Sequence, residues 1–513
     1  MMAQEEVMTA LHRSDAYEQG MRLSQAGRHG EAIDCYQRAL AGAPSDPKIL
    51  FALGNTARAL GMAQPAEAFF RQVLALEPER IEALINLANL LRANGQPQAA
   101  RDILAPALAR HPQSAELWVS QGSALRDMND TDGAESHYRQ ALALSPRSAT
   151  ALGNLADILA MRSDNDAALD LYGRAIKFAP NNAQLRLNRA ILHLLSGDLK
   201  DGWRDYAARL KIPGKAPACD HGLATWTGGS LKNKRLLITA EQGVGDELMF
   251  ASMIPELSAR AAEDGGSLIL ECDARLVPLF ARSFPDVAVH ASDMEKRDGA
   301  VHARYDWLKT VGGANCAVEM GTLPRYLRAD IAKFPHGHTY LDADEIEILD
   351  WTSSLNDCED GPFVGICWRS GKMTEGRAPQ FAPLQAWADF LTDLDATPVC
   401  LQYDATEDEI ETLGELSGRE IVVPGEIDQK RELDRACALM SALDAVVTAP
   451  TAVAWLAAGA GVPTYKILRD TSWTSFGRTY ELFAPSCQCI MPATPGDWAD
   501  VFAKAKVAIS SRL

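Results

Sequence analysis

The pattern of apolar residues divides the chain into two parts. Up to about residue 212, apolar positions recur every three or four residues, a spacing that predicts amphipathic helices. Prolines interrupt these helices at a constant interval of 34 residues, at Pro44, Pro78, Pro112, Pro146 and Pro180. The constant interval predicts one repeated pair of helices rather than a set of unrelated helices.

The residues between the prolines repeat as well. Each proline is preceded by alanine at twelve residues, a large apolar residue at eight, and glycine or alanine at twenty-four. Small residues suit the points where two helices cross closely, and the bulky residue fills the gap between neighbouring units. This 34-residue unit resembles the tetratricopeptide repeat. We expect an α-solenoid over residues 13–213, with five clear repeats and a degenerate capping repeat over 183–212.

Asparagines recur on the predicted first helices of the repeats, at Asn55, Asn86, Asn89, Asn154 and Asn188. An asparagine side chain both donates to and accepts from a peptide backbone. The row resembles the asparagine ladder of protein O-GlcNAc transferases, which implies that the concave face of the array binds a protein acceptor. The other explanation is that asparagine is common on solvated helix faces, and both remain open.

The pattern changes after residue 213. Residues 213–234 are rich in Gly, Pro and Lys and predict a linker or an irregular lead-in to the next part. Beyond them, short apolar runs such as RLLITA, SLILECD, FVGICW, PVCLQY, EIVVPG and DAVVTAP alternate with helical segments, which predicts parallel sheets. The runs form two groups, 233–345 and 362–513. We expect two Rossmann-like halves that face each other across a cleft, with the closing helix DWADVFAKAKVAIS packed back onto the first half.

Composition narrows the class of protein. The net charge of −18 argues against a nucleic-acid partner. No run of about 18 apolar residues predicts a membrane span, and the amino terminus lacks the apolar stretch of a secretory signal. The ten cysteines include no CxxC pair, and the ten histidines show no HxH or HExxH spacing, so we expect no metal. These features together predict a cytoplasmic protein.

Three segments of the second part carry candidate chemistry: EQGVGDE after the first strand, GICWRSG, and DAVVTAPTAVAWLAAGAGVP. Together they resemble the GT-B glycosyltransferase domains that follow tetratricopeptide arrays in bacteria, and they are similar to the family 9 heptosyltransferases. The resemblance implies a GT-B fold with the acceptor on the first half and a nucleotide-sugar on the second. It also implies inverting, metal-independent transfer in which the nucleotide-sugar is a co-substrate and no cofactor is needed.

Asp246 is the candidate catalytic residue, because in the family's GxGD turn the acid activates the acceptor hydroxyl. Gly243 and Gly245 would let a ligand or another chain approach the backbone there. Aspartate is also a common helix N-cap, and the two roles are compatible. Glu241 is a reserve candidate for the base and more typical of a structural acid.

The predicted donor side follows three strands of the second half. The residues expected to contact the donor are Arg369, Ser370, Lys372, Tyr403, Pro450, Thr451 and Arg469. Arginine offers a planar fork to phosphate oxygens, and proline at the start of a helix marks free N–H groups that bind phosphate. Related domains read DTxxxH at the last segment, whereas Pro450 replaces the acid here and Trp455 the histidine. That departure indicates either a different donor or lost activity.

The whole design resembles the flagellin O-glycosyltransferases of some bacteria, which transfer nonulosonic acids such as pseudaminic acid from CMP-activated donors. We therefore expect a protein O-glycosyltransferase that modifies Ser or Thr of a protein held by the repeats, with flagellin as the candidate acceptor. Two alternatives stay open: a scaffold whose transferase half has decayed into a binding module, and a transferase that acts on lipid or polysaccharide.

Overall fold

A computed structural model describes residues 2–512 apart from 242, 298–299, 336, 338, 360, 372, 374–376 and 426, with side chains from residue 14 onward except 300. The chain divides into two compact units, Met1–Leu185 and Arg186–Leu513. None of the helices in the described part is long and apolar enough to cross a membrane.

The first unit consists of helices joined by short turns. They are α1 (Met2–Gln25), α2 (His29–Ala41), α3 (Pro47–Ala59), α4 (Ala63–Leu76), α5 (Ile81–Ala93), α6 (Pro97–Arg110), α7 (Ala115–Asp127), α8 (Thr131–Leu144), α9 (Ala149–Met161) and α10 (Asn165–Phe178). The repeated prolines lie in the turns after the second helix of each pair, where the missing N–H costs no helical hydrogen bond. The predicted helix-pair repeat is therefore present.

Close packing explains the repeated small residues. A Cβ atom placed on Gly54 would lie 2.7 Å from the Phe70 ring, and one on Gly122 would lie 2.8 Å from the Tyr138 ring. The alanine twelve residues before each proline is fully buried throughout the array, as at Ala66. A larger side chain at these positions would push the paired helices apart. The residue sizes that recur every 34 residues therefore reflect how the helices pack.

The degenerate capping repeat corresponds to α11 (Ala183–Leu195) and α12 (Leu199–Tyr206). From Arg186 onward, these residues belong to the second compact unit rather than to the array. Trp203 shows why: its ring packs edge-on against Phe476 at 5.8 Å and against Phe483 at 6.3 Å, and its Nε1 donates to Arg328 O at 3.0 Å. The array predicted to end at residue 213 thus ends, as a compact body, at Leu185.

The second unit contains three sheets. Their strands are β1 (Ala218–Cys219), β2 (Ala224–Thr225), β3 (Arg235–Thr239), β4 (Ser267–Cys272), β5 (Ala288–Ala291), β6 (Met294–Arg297), β7 (Ala300–Ala303), β8 (Cys316–Glu319), β9 (Phe363–Cys367), β10 (Thr397–Cys400), β11 (Ala445–Thr448), β12 (Thr464–Ile467) and β13 (Cys487–Ile490). Two five-stranded sheets have the orders β2-β8-β3-β4-β5 and β10-β9-β11-β12-β13, and a small sheet has the order β1-β7-β6.

Both five-stranded sheets are parallel, and each contains one point where the strand order reverses. From β3 the chain runs outward to β4 and β5 and later returns to place β8 on the other side of β3. In the second sheet it runs from β9 to β10 on one side and then to β11 on the other. The predicted α/β organisation in two halves is therefore present, and such reversal points are where parallel sheets bind ligands.

The remaining helices cover these sheets. They are α13 (Val244–Ala251), α14 (Ile254–Glu263), α15 (Val277–Ser283), α16 (Pro324–Leu327), α17 (Glu345–Cys358), α18 (Leu384–Thr392), α19 (Glu407–Ser417), α20 (Leu433–Ser441), α21 (Ala452–Gly459) and α22 (Trp498–Ser510). One apolar core runs through both halves and includes Leu248 of α13 and Leu456 of α21. The halves are thus joined by shared packing.

Three details of the predicted second part were wrong. For residues 213–234 the linker alternative was wrong, because they contain the short strands β1 and β2, which pair with later parts of the chain, and the buried Trp226. EIVVPG forms only one bridge, Val422 to Val399, rather than a strand. The closing helix α22 packs on the second half, where Phe502 contacts Trp387 at 5.0 Å, and not on the first.

Candidate functional site

The first reversal point lies between the carboxyl ends of β3 and β8. Glu241 follows β3 and is buried, and its Oε1 accepts the Gly321 N–H at 2.8 Å from the turn after β8. Arg209, also buried, reaches the same oxygen with Nε at 3.2 Å and bonds Thr322 Oγ1 at 3.1 Å. Glu241 therefore joins the turns that follow the two strands, which supports the structural role expected of it.

Asp246 lies one turn further, as the third residue of α13. Gly243 is the N-cap of that helix, so the expectation that Asp246 caps it was wrong. The carboxylate instead accepts the backbone N–H of Gly243, the reach-back contact that an acid makes from this position. Burial raises the pKa of Asp246, while the Gly243 hydrogen bond and the charges of Arg209 and Lys215 lower it by less. The net rise brings Asp246 closer to the range that suits a general base.

Further carboxylates, missed by the sequence analysis, lie at the same edge of the first sheet. Glu247 follows Asp246 in α13, and burial raises its pKa to about 8. Glu271 of β4 is fully buried, and burial raises its pKa to about 7. Its Oε1 has no hydrogen-bond partner among the described residues. The signal in the sequence was a glutamate inside the apolar run SLILECD. Several acids with raised pKa at a strand edge are typical of a functional site.

The first turns of α13 and α21 pack against each other between the two halves. A Cβ atom on Gly245 would lie 3.6 Å from Ala452 Cα and 3.7 Å from Trp455 Cδ1. The other face of Trp455 contacts Lys466, whose Nζ lies 5.1 Å from the ring centroid. A side chain at position 245 would make only ordinary van der Waals contact with α21, so the approach of a ligand or another chain at Gly243 and Gly245 stays a prediction. Trp455, at the position where the DTxxxH motif has histidine, takes part in this packing.

The second reversal point lies between β9 and β11. Cys367 Sγ at the end of β9 lies 3.7 Å from Thr451 Oγ1 after β11, so the two predicted donor segments meet here. Arg369 follows β9, and Glu409 accepts from its Nε and Nη2 at 2.6 Å each. Asp404 accepts from its Nη1 at 2.9 Å. The guanidinium is therefore held by protein carboxylates, and its predicted contact with phosphate is untested.

Side chains after β10 hold the loop that follows β9. Gln402 is buried, and its Oε1 accepts the N–H groups of Trp368 at 3.1 Å and Arg369 at 3.0 Å. The hydroxyl of Tyr403 accepts the Gly371 N–H at 3.1 Å. Both residues shape the loop on which the predicted donor contacts lie. Gln402 was missed in the sequence because its partners are more than thirty residues away.

The other predicted donor residues are placed as follows. Helix α21 begins at Ala452 with Thr451 as its N-cap, so Pro450 precedes the cap rather than starting the helix. The Thr451 side chain makes no capping hydrogen bond. Ser370 is half-buried in the loop after β9, and Arg469 is exposed after β12. Lys372 lies outside the described residues. Their roles in binding a donor stay predictions.

The predicted asparagines lie on the first helices of their repeats. Asn86 Nδ2 donates to Asn55 Oδ1 at 2.9 Å, and Asn154 Nδ2 donates to Ser123 Oγ at 3.3 Å. Asn89 is exposed and accepts from Arg92. Asn188 is placed in α11 of the second unit. The bonds of Asn55, Asn86 and Asn154 use only part of the hydrogen-bonding capacity of an amide, and the predicted contact with a peptide stays a prediction.

One cavity of about 410 Å³ lies in the first unit beside Asn55. It is lined by Tyr17, Ser24, Tyr36, Lys48, Phe51, Ala52, Asn55, Thr56 and Arg80. The Arg80 guanidinium lies 4.3 Å from the centroid of the Phe51 ring. The lining combines aromatic surface with amide, hydroxyl and cationic groups, which suits a peptide segment better than a purely apolar ligand.

Within the described residues, the side chains of His193, Asp198 and Asp201 come close enough to share a cation. Both carboxylates have other partners, because Asp198 caps α12 and Asp201 accepts from Arg204 Nη1 at 2.6 Å. The sequence predicted no metal. It did not reveal this group, because its spacing matches no common metal-binding motif.

Comparisons with known proteins identify the first unit. Two family models described as tetratricopeptide repeat match residues 17–81 and 119–183 and residues 57–121. Residues 17–183 are therefore tetratricopeptide repeats, as predicted. Among solved structures, the chain is similar to the tetratricopeptide repeat protein TTC0263 of Thermus thermophilus, with 26% identity and a TM-score of 0.32 over 36% of this chain and 99% of that one. MamA of Desulfovibrio magneticus RS-1 gives 19% identity and a TM-score of 0.30 over 33% and 97%.

A curated relative extends beyond the repeats. Protein FlbA of Caulobacter vibrioides is 33% identical over 326 residues, 63% of this chain and 54% of that protein. The chain thus spans about half the length of this relative. Because the first unit ends at Leu185, an alignment of that length must include part of the second unit.

Proposed function

We propose that the protein is a glycosyltransferase of the inverting GT-B type, which transfers a sugar from a nucleotide-activated donor to Ser or Thr of a protein bound by its repeats. A nonulosonic acid such as pseudaminic acid is the proposed sugar, and flagellin the proposed acceptor; both follow from the resemblance of the sequence motifs. The donor is a co-substrate, and the chemistry needs no metal.

One observation carries the proposal. The predicted acceptor-side and donor-side residues lie at the reversal points of two separate parallel sheets, and the helices that leave those points meet at Gly245 and Ala452. Parallel sheets bind ligands at these positions. Two sheets that meet at their reversal points suit a reaction between two substrates, because each reversal point can bind one substrate.

Asp246 is the proposed general base. Sugar transfer to a hydroxyl requires a carboxylate that takes the hydroxyl proton as the new bond forms. Asp246 is ionisable, half-buried and held by the Gly243 N–H at the start of α13. Two further buried acids in this half, Glu247 and Glu271, have a pKa raised to about 8 and about 7. Of these three acids Asp246 is the one at the end of the GxGD motif, so it is the proposed acceptor of the proton.

The repeats supply the proposed protein-binding surface. The cavity beside Asn55 offers the cationic side chain of Lys48 together with the aromatic rings of Tyr17 and Phe51. An extended segment with an acidic and an apolar side chain fits this lining. The Asn55 to Asn86 pair lies alongside, where it can bond the backbone of such a segment.

Intact mass of the acceptor tests the proposal. The full chain is co-expressed with a flagellin in cells that make CMP-pseudaminic acid, as wild type, Asp246→Asn and Glu263→Gln. Asparagine keeps the shape and the acceptor for the Gly243 N–H but cannot take a proton. We expect a mass increase with wild type and Glu263→Gln, and initial rates lowered by about 10²–10⁴ with Asp246→Asn.

The outcomes separate the parts of the proposal. If wild type adds no mass while the donor is present, transfer to this acceptor is refuted. If Asp246→Asn transfers as fast as wild type, Asp246 is not the base, although the transferase assignment stands. Titration calorimetry with CMP then shows whether the second half still binds a nucleotide.

One observation favours a second candidate, a scaffold with an inactive transferase half. The Arg369 guanidinium is occupied by Glu409 and Asp404, and Pro450 and Trp455 replace the residues of the related donor motif. A scaffold would bind flagellin through the repeats without adding mass and would bind no CMP. Retention of flagellin on the immobilised chain, combined with no heat on addition of CMP, would favour this candidate.

A further inference from the structure

Arg209 connects the segment after α12 to the candidate site. It lies in a short 3₁₀ turn, Ala207–Lys211, directly after α12, and only 3% of its surface is exposed. Its Nε and Nη2 bond Glu241 Oε1, its Nη2 also bonds Thr322 Oγ1, and its Nη1 donates to Tyr206 O at 3.3 Å. The guanidinium thus contacts the turns after β3 and after β8 at once.

The space around this contact is tightly filled. A Cβ atom on Gly321 would overlap Glu241 Oε1 and lie 3.0 Å from Arg209 Nη2. The guanidinium also lies 4.6 Å from the centroid of the Tyr206 ring. Glycine at position 321 is therefore what lets the arginine and the glutamate meet the backbone. Arg209 and the Gly321 N–H together fix the Glu241 carboxylate, five residues before Asp246.

The helix that carries Arg209 is itself fixed. The α12 rings, Trp203 and Tyr206, lie 6.2 Å and 5.5 Å from the Trp473 ring of the second half. Trp203 Nε1 bonds Arg328 O in the first half. The last helix of the predicted array therefore packs on both α/β halves, and Arg209 has little freedom to move.

The charges around Asp246 come mainly from this same segment. Arg209 and Lys215 both act on the Asp246 carboxylate and lower its pKa. Helix α21, which packs on α13, contains no titratable residue, and neither does the Met320–Thr322 turn. The neighbouring acids are Glu241 and Glu247 in the same turn and helix, and Glu319 at the end of β8. The positive charge that acts on Asp246 thus comes from the segment after α12.

We propose that Arg209 is a positioning residue for the transfer reaction: from the turn after α12 it joins the segment after β3 to the turn after β8 through Glu241, and its positive charge acts on the Asp246 carboxylate. This inference rests on the proposed function for its catalytic meaning. If Arg209 has this role, the degenerate repeat is part of the transferase and not only a cap. Arg209 then supplies a positive charge that neither α/β half contributes.

Two variants test the electrostatic part without relying on activity. Arg209→Met alone would leave Glu241 buried without its counter-charge and risks unfolding. The comparison is therefore wild type against Arg209→Met combined with Glu241→Gln, each with Asp246 and with Asp246→Asn. Loss of the Glu241 charge by itself would lower the pKa of Asp246, so a rise is assigned to the loss of Arg209. The free energy gained by Asp246→Asn rises with pH up to the folded-state pKa of Asp246 and then becomes constant. We expect that plateau about one pH unit higher when Arg209 is absent.

The pH profile of transfer tests the catalytic part. In the flagellin assay, the transfer rate rises with pH on the acidic side of its pH profile. In the Arg209→Met, Glu241→Gln variant this rise should occur at a higher pH, by the same interval as the plateau. A merely structural role would lower the rate at every pH and leave this rise in place. Equal plateaus in both backgrounds would overturn the inference. A shifted plateau in a protein that never transfers sugar would overturn the proposed function while retaining the effect of Arg209 on Asp246.

Discussion

Replacing Glu247 with glutamine should stabilise the second unit, and the gain should grow with pH. Glu247 lies in the first turn of α13 with 5% of its surface exposed, and its Oε2 accepts the Asp273 N–H at 2.8 Å. Burial raises its pKa to about 8, and the charges of Asp273 and Glu271 contribute to the rise. Glutamine keeps the shape and the accepting oxygen but has no charge to bury.

The sign follows from proton linkage. A carboxyl with a pKa of about 8 in the folded state and about 4.3 in the unfolded state binds its proton more tightly when folded. Wild type therefore has its full stability below the unfolded-state value and loses it as the pH rises through the folded-state value. At 1.36 kcal/mol for each pKa unit, the loss between pH 5 and pH 9 is about 4 kcal/mol.

Urea unfolding at pH 5, 7 and 9 measures this loss. Tryptophan fluorescence reports the second unit, because Trp118 is the only one of ten tryptophans before residue 186. The free energy of unfolding of Glu247→Gln should exceed that of wild type by about 1 kcal/mol at pH 5 and about 5 kcal/mol at pH 9. Glu263→Gln, at an exposed position near the end of α14, is the matched control and should show no trend. A Glu247→Gln difference that stays constant with pH would refute the reasoning.

Two further substitutions test the packing of each unit. Gly54→Ala should destabilise the first unit by about 1–3 kcal/mol, because the new Cβ meets the Phe70 ring. Gly30→Ala is the control: its Cβ meets no described atom within 4 Å, so it should be neutral or stabilising by at most about 1 kcal/mol. Equal losses of stability for the two variants, in thermal unfolding followed by circular dichroism, would contradict the packing explanation. Lys466→Met should cost the second unit about 3–5 kcal/mol, because it leaves the buried Glu481 carboxylate unpaired. Combining it with Glu481→Gln should recover much of that loss in urea unfolding, and no recovery would show that the charge pair is not the cause.

The repeat array could be predicted because its packing is local. Each small residue meets a ring only 16 residues away, as Gly54 meets Phe70, and the same contact recurs in successive repeats. A period of this kind is visible in the sequence without knowledge of the rest of the fold. The end of the array was less predictable, since Trp203 takes its partners from residues 328, 476 and 483.

The sheets were predicted where a strand is a continuous apolar run, as at β3 and β11. They were missed at β8 and β13, where CAVE and CQCI are short and include a polar residue. EIVVPG shows the opposite error. Val422 exchanges hydrogen bonds with Pro398 and Cys400, but Pro424 and Gly425 follow at once and prevent a longer ladder. Strand pairing depends on distant partners that local composition does not specify.

The sequence predicted which segments form the candidate site, but it did not predict the ion pairs between its charged residues. Asp246 and Thr451 are marked by local turn and helix signals, and both lie at reversal points of the sheets. Arg209 and Glu241 are 32 residues apart, and Arg369 meets Asp404 and Glu409 at 35 and 40 residues. Single residues can be identified from the sequence, whereas the ion pairs that determine their chemical state require the tertiary structure.

The pairing of Arg369 changes what the proposed donor site requires. Hydrogen bonds that involve charged partners contribute about 1.5–3 kcal/mol each, and Glu409 and Asp404 together accept several from this guanidinium. A donor phosphate would have to replace them to bind Arg369. The N–H groups at the start of α21 need no such exchange, because the Thr451 side chain does not cap them. If transfer occurs, we therefore expect phosphate to bind at α21 and Arg369 to hold the shape of its loop. Arg369→Ala should then impair donor binding only as far as it loosens that loop.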